Sequence, residues 1–201
     1  GEKGLGVPLD LTLGMHSDAG FKKDDALVGS LGIYTTGFND GKLNSGISRY
    51  ASRDLNDLVL TGLQRDISSR MRVEWARRGM WNRTYSETRL PSVPSMILET
   101  LSHQNFSDMQ LGHDPAFKFV VARSVYKSLL RFTAEMHRKE YTVQPLPVDH
   151  FAIREGEKKN TFRLTWNPVS DPLEPTAEPQ GYVVYTRIGY GGFDNGTYTR
   201  N

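Results

Sequence analysis

The sequence predicts an α/β domain followed by a partial all-β sandwich, and three observations support this prediction. Residues 1–142 contain both β-prone runs and two long amphipathic helical patterns. The segment 143–149 contains two prolines and is typical of an extended linker. Residues 150–201 carry β-prone runs separated by Pro- and Gly-rich turns, which is the pattern of an all-β unit.

Composition excludes several classes of protein. The 201 residues hold 25 Lys and Arg against 23 Asp and Glu, so the net charge of +2 gives no electrostatic argument for a nucleic-acid partner. The absence of cysteine excludes disulfides, thiolate metal sites and a cysteine nucleophile. No apolar run is long enough to span a membrane, so none is expected to do so.

Two β-prone runs open the α/β domain. Leu9–Met15 predicts a first strand that ends directly before His16, and Leu27–Thr35 predicts a second. The segment 37–46 is rich in Gly and Asn and predicts a surface loop. The first strand therefore brings a histidine to its C-terminal end.

A long amphipathic helix is predicted next. Ser52 is the expected N-cap, and Asp54 lies in the first turn, where the helix dipole favours an acid. The helix should end at 75–78, before Gly79. Its apolar face is formed by Leu55, Leu58, Val59, Leu63, Ile67 and Met71. A face of this kind predicts packing on a sheet.

A short strand is expected at Asn82–Tyr85, and a second long helix begins further on. Asp114 is its expected N-cap and Pro115 its first residue, and it should end at 137–140. Its expected apolar face consists of Ala116, Phe119, Val120, Val125, Leu129, Leu130 and Phe132.

Between these elements, Ser95–Leu98 predicts a strand that is buried on both faces and leads into Glu99. The C-terminal ends of strands are where open α/β sheets place their chemistry. If this strand is parallel to the first, His16 and Glu99 emerge at one edge and could act as metal ligand and general base. The alternative is an acid at a strand end that is held by backbone N–H groups.

Residues 11–20, LTLGMHSDAG, resemble the strand-His-Ala-Asn segment of the zinc-dependent N-acetylmuramoyl-L-alanine amidases. His16 falls on a zinc-ligand histidine of that family, whereas Asp18 stands where the family usually has Asn. A second group of residues follows the family's spacing of an Arg, a Pro, a buried strand ending in Glu, and an Asn. That group is Arg89, Pro94, Leu98, Glu99 and Asn105.

The resemblance implies zinc-assisted hydrolysis of an amide in peptidoglycan or another cell-surface glycan. Zinc would lower the pKa of a bound water to about 7, and Glu99 would pass the water's proton to the leaving amine. Arg89 is expected either to bind substrate or to form a surface salt bridge. Asn105 and His103 are further candidate substrate-binding residues. His16 is the metal candidate.

The match covers about residues 1–140, and the family's other zinc ligands would lie before Gly1. We therefore expect the α/β domain to lack its first strands and the chain to bind zinc weakly or not at all. We also expect a second chain or a missing segment to complete both domains. Leu101 and Ser102 stand where the family often has Gly-Phe, so the loop after the strand is expected to differ.

The last 52 residues resemble the start of a fibronectin type III domain, with Trp166 on strand B and Tyr182 and Tyr185 on strand C. Half a sandwich would leave apolar side chains uncovered. The side chains concerned are those of Phe162, Leu164, Trp166, Val183 and Tyr185. The sequence as a whole, including residues 53–67, 77–89 and 99–109, resembles a secreted variant of these amidases that is often named xanthan lyase. This resemblance implies a secreted, periplasmic or cell-surface location.

Two other functions stay open beside the amidase. The β appendage and the departures at Asp18, Leu101 and Ser102 favour a non-catalytic or scaffold module of a secreted carbohydrate-processing protein. Lyase chemistry needs a base beside a group that neutralises a uronic acid carboxylate, and no arrangement in the sequence requires it. An upstream Gly-His-Gly strand end followed by a Glu would favour the amidase.

Overall fold

The computed structural model describes residues 6–200, and the chain divides into two compact units, Gly1–Tyr141 and Thr142–Asn201. Residues 1–5 and 201 of the predicted domains lie outside the described residues. The first unit is a mixed α/β structure with a central sheet and helices, so the α/β part of the predicted fold class is confirmed. In the described part of the second unit the regular elements are β-strands, and the partial sandwich stays a prediction. The linker at 143–149 and the exact domain limits stay predictions.

A four-stranded sheet forms the centre of the first unit. Its strands are β1 (Thr12–Asp18), β2 (Ser30–Tyr34), β3 (Arg77–Asn82) and β4 (Ser95–Ser102), arranged in the order β1-β4-β2-β3. β1 is parallel to β4, and β2 is parallel to β3, whereas β2 and β4 are antiparallel. The condition for a shared edge between His16 and Glu99 therefore holds.

Four helices accompany this sheet: α1 (Tyr50–Met71), α2 (Ser86–Arg89), α3 (Phe106–His113) and α4 (Pro115–His137). The long helices α1 and α4 pack together and bury one face of the sheet in the main core. That core contains Leu55, Val59, Leu63, Ile67, Trp75, Met96, Leu98, Phe117, Val121 and Phe132. Within residues 6–200, no helix has the length and apolar character needed to cross a membrane.

Helix α4 has the predicted start, and its apolar face differs in detail. The Asp114 carboxylate accepts a hydrogen bond from the Ala116 amide at 2.8 Å, which confirms the N-cap. The helix ends at His137, where Arg138 adopts a left-handed conformation with a φ of 52°. Phe119 was expected in the core but is exposed, and Phe117 is buried instead, because packing against Trp75 fixes which side of the helix faces inward.

The predicted limits of α1 are wrong at both ends. Arg49 occupies the N-cap position, and Ser52 is buried within the helix, where its Oγ accepts a hydrogen bond from the Ser95 amide at 3.0 Å. Asp54 consequently lies beyond the first turn. The helix ends at Met71 because Arg72 takes a left-handed conformation with a φ of 55°.

The limits of the strands also differ from those predicted. β1 continues to Asp18 and β4 to Ser102, so His16 and Glu99 lie inside strands and not after them. Pairing extends through these polar residues because β4 has neighbours on both sides. β3 ends at Asn82, where the sequence had predicted a strand to begin, and α3 was not predicted.

Asp108, in the first turn of α3, connects that helix to the ends of two strands. It is fully buried. Its Oδ1 accepts a hydrogen bond from the Val28 amide at 2.8 Å, and its Oδ2 accepts from Gly29 at 3.2 Å and from Ser102 at 2.9 Å. One carboxylate therefore satisfies three backbone N–H groups that would otherwise be left without partners.

The second unit contains two antiparallel pairs, β5 (Asp149–Glu155) with β6 (Phe162–Asn167) and β7 (Tyr182–Val184) with β8 (Thr197–Thr199). The Trp166 and Tyr182 rings meet edge to face at a centroid distance of 5.1 Å. Of the side chains expected to be uncovered, Phe162, Val183 and Tyr185 are exposed, whereas Leu164 and Trp166 are half-buried. The fibronectin type III assignment stays a prediction.

Candidate functional site

His16 and Glu99 are direct partners in the parallel ladder between β1 and β4. Residues paired in this way project from the same face of a sheet. Leu98, the neighbour of Glu99, faces the opposite way and is fully buried in the core beneath α1 and α4. The imidazole and the carboxylate therefore stand side by side on the face away from that core.

Glu99 carries an incompletely satisfied carboxylate. Its Oε2 is buried and has no hydrogen-bond partner among the described residues. Burial raises the pKa of Glu99, the neighbouring His16 lowers it, Asp18 raises it, and Arg78 and Glu87 make smaller opposing contributions. A carboxylate whose proton affinity is raised is a stronger base.

Because the pKa of Glu99 is raised in the folded state, the free energy of unfolding is expected to decrease as the pH rises. Because the folded-state pKa of Glu99 lies above the unfolded-state value, its favourable contribution is present at acid pH and is lost as pH rises through the folded-state pKa. The side chain of Gln in the Glu99→Gln variant does not titrate. We therefore expect its melting temperature to rise relative to wild type as the pH is raised above the unfolded-state pKa of about 4. Thermal unfolding in EDTA measures the difference, and a difference independent of pH would contradict the prediction.

Glu87 is a site residue that the sequence analysis missed. Its Oε1 lies 3.0 Å from Nε2 of His16, and both side chains are about half exposed. Glu87 belongs to the four-residue helix α2, which precedes β4. No local pattern marks it, because the two residues are 71 positions apart and meet only through the arrangement of α2 over the sheet.

Asp18 and Arg78 form an ion pair next to this cluster. Nη1 of Arg78 lies 2.6 Å from Oδ2 of Asp18, and both side chains are largely buried. Oδ1 of Asp18 is buried and has no partner among residues 6–200. Asp18, noted above as a departure from the amidase pattern, is thus balanced by a cation from β3.

His103 lies beside the same strand ends. Its Nδ1 is 3.2 Å from Oγ of Ser17, and its backbone amide donates to the Asp18 carbonyl at 2.9 Å. An open groove runs along this edge. Its lining consists of Met15, His16, Ser17, Thr100, Leu101, Met109 and Gly112. His103 therefore stays a candidate for substrate contact.

Arg89 and Asn105 have other contacts. The guanidinium of Arg89 lies 5.8 Å from the centre of the Phe38 ring. Asn105 is 1% exposed, and its Oδ1 accepts from the Asp108 amide while its Nδ2 donates to the Ala26 carbonyl. Asn105 thus caps α3 in this structure, and neither residue is brought to the His16–Glu99 pair by the contacts described.

The described part of the chain does not supply a complete metal centre. Among residues 6–200, no group of three or more His, Asp or Glu side chains is arranged to hold a metal ion. A catalytic zinc site needs three protein ligands. His16 alone does not meet that requirement, so these residues do not fit zinc without further ligands.

No protein-family model matches the chain, and no curated protein matches it. Several solved structures align with it at low similarity. The N-acetylmuramoyl-L-alanine amidase AmiC2 of Nostoc punctiforme is 15% identical over 61% of this chain and 57% of that one, with a TM-score of 0.47. The CwlD amidase of Clostridioides difficile, solved in complex with the GerS lipoprotein, is 14% identical over 63% and 55%, with a TM-score of 0.49.

The amidase Ami1 of Mycobacterium smegmatis is 16% identical over 62% of this chain and 54% of that one, with a TM-score of 0.47. The chain thus spans a little over half the length of these proteins. Similarity at this level establishes neither membership in their family nor their activity.

Proposed function

We propose that the α/β unit is part of a hydrolase that cleaves the amide between N-acetylmuramic acid and L-alanine in peptidoglycan. One observation carries the proposal. His16 and Glu99, the two positions where the sequence resembles the metal ligand and the acid/base of such amidases, are direct partners on parallel strands. Eighty-three residues apart in sequence, they could have faced opposite sides of the sheet.

In this proposal, Glu99 accepts a proton from the attacking water and returns it to the leaving amine. Its Oε2 has no hydrogen-bond partner among the described residues, and burial raises its pKa, which makes the carboxylate a stronger base. His16 lies beside Glu99 and is the proposed metal ligand. No step is assigned to zinc, because the described residues hold one candidate ligand and the others would have to come from further polypeptide.

The setting proposed for this reaction is outside the cytoplasm: secreted, periplasmic or at the cell surface. The proposed substrate is a cell-wall glycan with peptide stems. It would reach the site from solvent through the open groove beside His16. The β unit is proposed to be the beginning of a fibronectin type III-like appendage. A second chain or an additional segment would complete both parts.

Cleavage of purified peptidoglycan tests the proposal. A form of the protein extended at its N-terminus, supplied with zinc, is expected to release free L-alanine amino groups in step with glycan strands that lack peptides. His16→Ala should abolish both zinc binding and release. Binding of peptidoglycan without any cleavage would favour the non-catalytic module. Formation of unsaturated sugar ends would favour a lyase. Either result would overturn the amidase proposal.

A further inference from the structure

We propose that Glu87 is a positioning residue that fixes the imidazole of His16. The inference rests on the proposed function, since it concerns how that site is organised. Oε1 of Glu87 lies 3.0 Å from Nε2 of His16. An ionised carboxylate has only acceptors, so Nε2 carries the hydrogen and donates it to Glu87. Nδ1 is then the nitrogen that keeps a lone pair for chemistry at the site.

An ion pair between half-exposed side chains is normally weak, because holding two mobile groups together costs entropy. Here the backbone that carries Glu87 is fixed. Thr88 is fully buried, and its carbonyl accepts hydrogen bonds from Nη1 of Arg49 at 3.2 Å and from Oγ of Ser95 at 3.1 Å. Nη2 of Arg49, itself buried, also donates to the Arg89 carbonyl at 2.7 Å.

The hydroxyl of Thr88 strengthens the same anchor. It is 2.7 Å from the hydroxyl of Thr35, the residue after β2, and 3.1 Å from the carbonyl of Arg83. A helix of four residues would not persist alone in water. These contacts join α2 to the sheet and to the segment before α1, so they set the position from which Glu87 reaches His16.

Gly14 provides the space for this contact. It precedes His16 by two residues on β1 and therefore points to the same face. A Cβ atom at this position would lie 2.8 Å from Oε1 of Glu87 and 3.3 Å from Nε2 of His16. Any side chain larger than glycine would displace the end of the Glu87 side chain, because that end is the mobile partner. The sequence thus leaves space at the atom pair that the inference requires.

Imidazole N–H signals in the NMR spectrum of the ¹⁵N-histidine-labelled chain, recorded at low temperature in EDTA, test the inference. The Nε2–H signal of His16, assigned by its absence in His16→Gln, is expected to be visible in the wild type because the hydrogen bond slows exchange with water. Glu87→Ala should lose the signal. Glu87→Gln should retain it, since the amide oxygen still accepts. Glu140→Ala, an exposed acid on another segment, is the control and should leave it unchanged.

Gly14→Ala supplies a second route to the same result. It leaves both partners in the chain and is expected to lose the signal by displacing the Glu87 carboxylate. Unchanged circular dichroism in each variant shows that the fold is retained.

A signal that persists in Glu87→Ala, or that is absent from the wild type, would overturn the inference. These readouts need neither substrate nor metal. Failure of the inference is therefore distinct from failure of the proposed function, which the peptidoglycan assay decides.

Discussion

Glu99→Gln, made in the N-terminally extended and zinc-supplied protein, is expected to lower peptidoglycan hydrolysis by about 10²–10⁴-fold, the usual contribution of a positioned general base. Gln has nearly the same shape as Glu and cannot accept and return a proton. Oε2 of Glu99 is buried and has no hydrogen-bond partner among the described residues, so its position in the site is the one the substitution changes. The rate of L-alanine amino-group release measures the effect.

Two controls separate loss of the base from loss of the site. Zinc content should be unchanged in Glu99→Gln, because the proposal gives Glu99 no role as ligand. Glu74→Gln, at an exposed acid just beyond α1, should hydrolyse at the wild-type rate. Cleavage at wild-type rate in Glu99→Gln would remove Glu99 from the mechanism even if the rest of the proposal stood.

Asp108→Ala is expected to cause the largest loss of stability among the substitutions considered. The change leaves the amides of Val28, Gly29 and Ser102 without their acceptor in a buried setting. Each buried group left unsatisfied costs about 1–3 kcal/mol, so we expect the free energy of unfolding to fall by at least about 3 kcal/mol. That is a large part of the roughly 5–15 kcal/mol that stabilises a typical domain. Urea denaturation of the 201-residue chain measures it.

Asp108→Asn should have an intermediate effect, because its amide retains one acceptor oxygen and introduces a donor. Asp114→Ala is the matched control, since it also removes an acid that accepts a backbone hydrogen bond, but at the exposed start of α4. Loss of such a cap costs typically about 1 kcal/mol. A cost for Asp108→Ala no larger than that of Asp114→Ala would contradict the role of Asp108 as the connection between α3 and the strands.

Much of the architecture could be predicted because it depends on local chemistry. Asp114 followed by Pro115 determines where α4 begins through capping and a fixed φ angle, both properties of adjacent residues. Leu55, Val59, Leu63 and Ile67 recur at helical spacing, and all four are fully buried. The start of β4 at Ser95 was likewise predicted from a short apolar run.

Element ends were predicted less well, because they depend on distant partners. Ser52 has the chemistry of an N-cap, yet its hydroxyl is used by the amide of Ser95, which is 43 residues away. The N-cap position is instead occupied by Arg49, three residues earlier. Asn105 matches a motif position of the amidases, but the fold directs its amide towards Asp108 and Ala26. The same side chain can satisfy a local or a distant partner, and only the packed structure selects between them.

The sequence by itself determined the alternation of strands and helices, the change to an all-β composition, and the choice of His16 and Glu99 as candidate residues. Only the tertiary structure decided that these two are direct partners and that Glu87 contacts His16. The physical reason is the distance along the chain over which each effect acts. Propensity, capping and periodicity act over a few residues, whereas the register of β1 on β4 and the anchoring of α2 by the buried Arg49 and Thr88 depend on contacts between segments far apart in the chain.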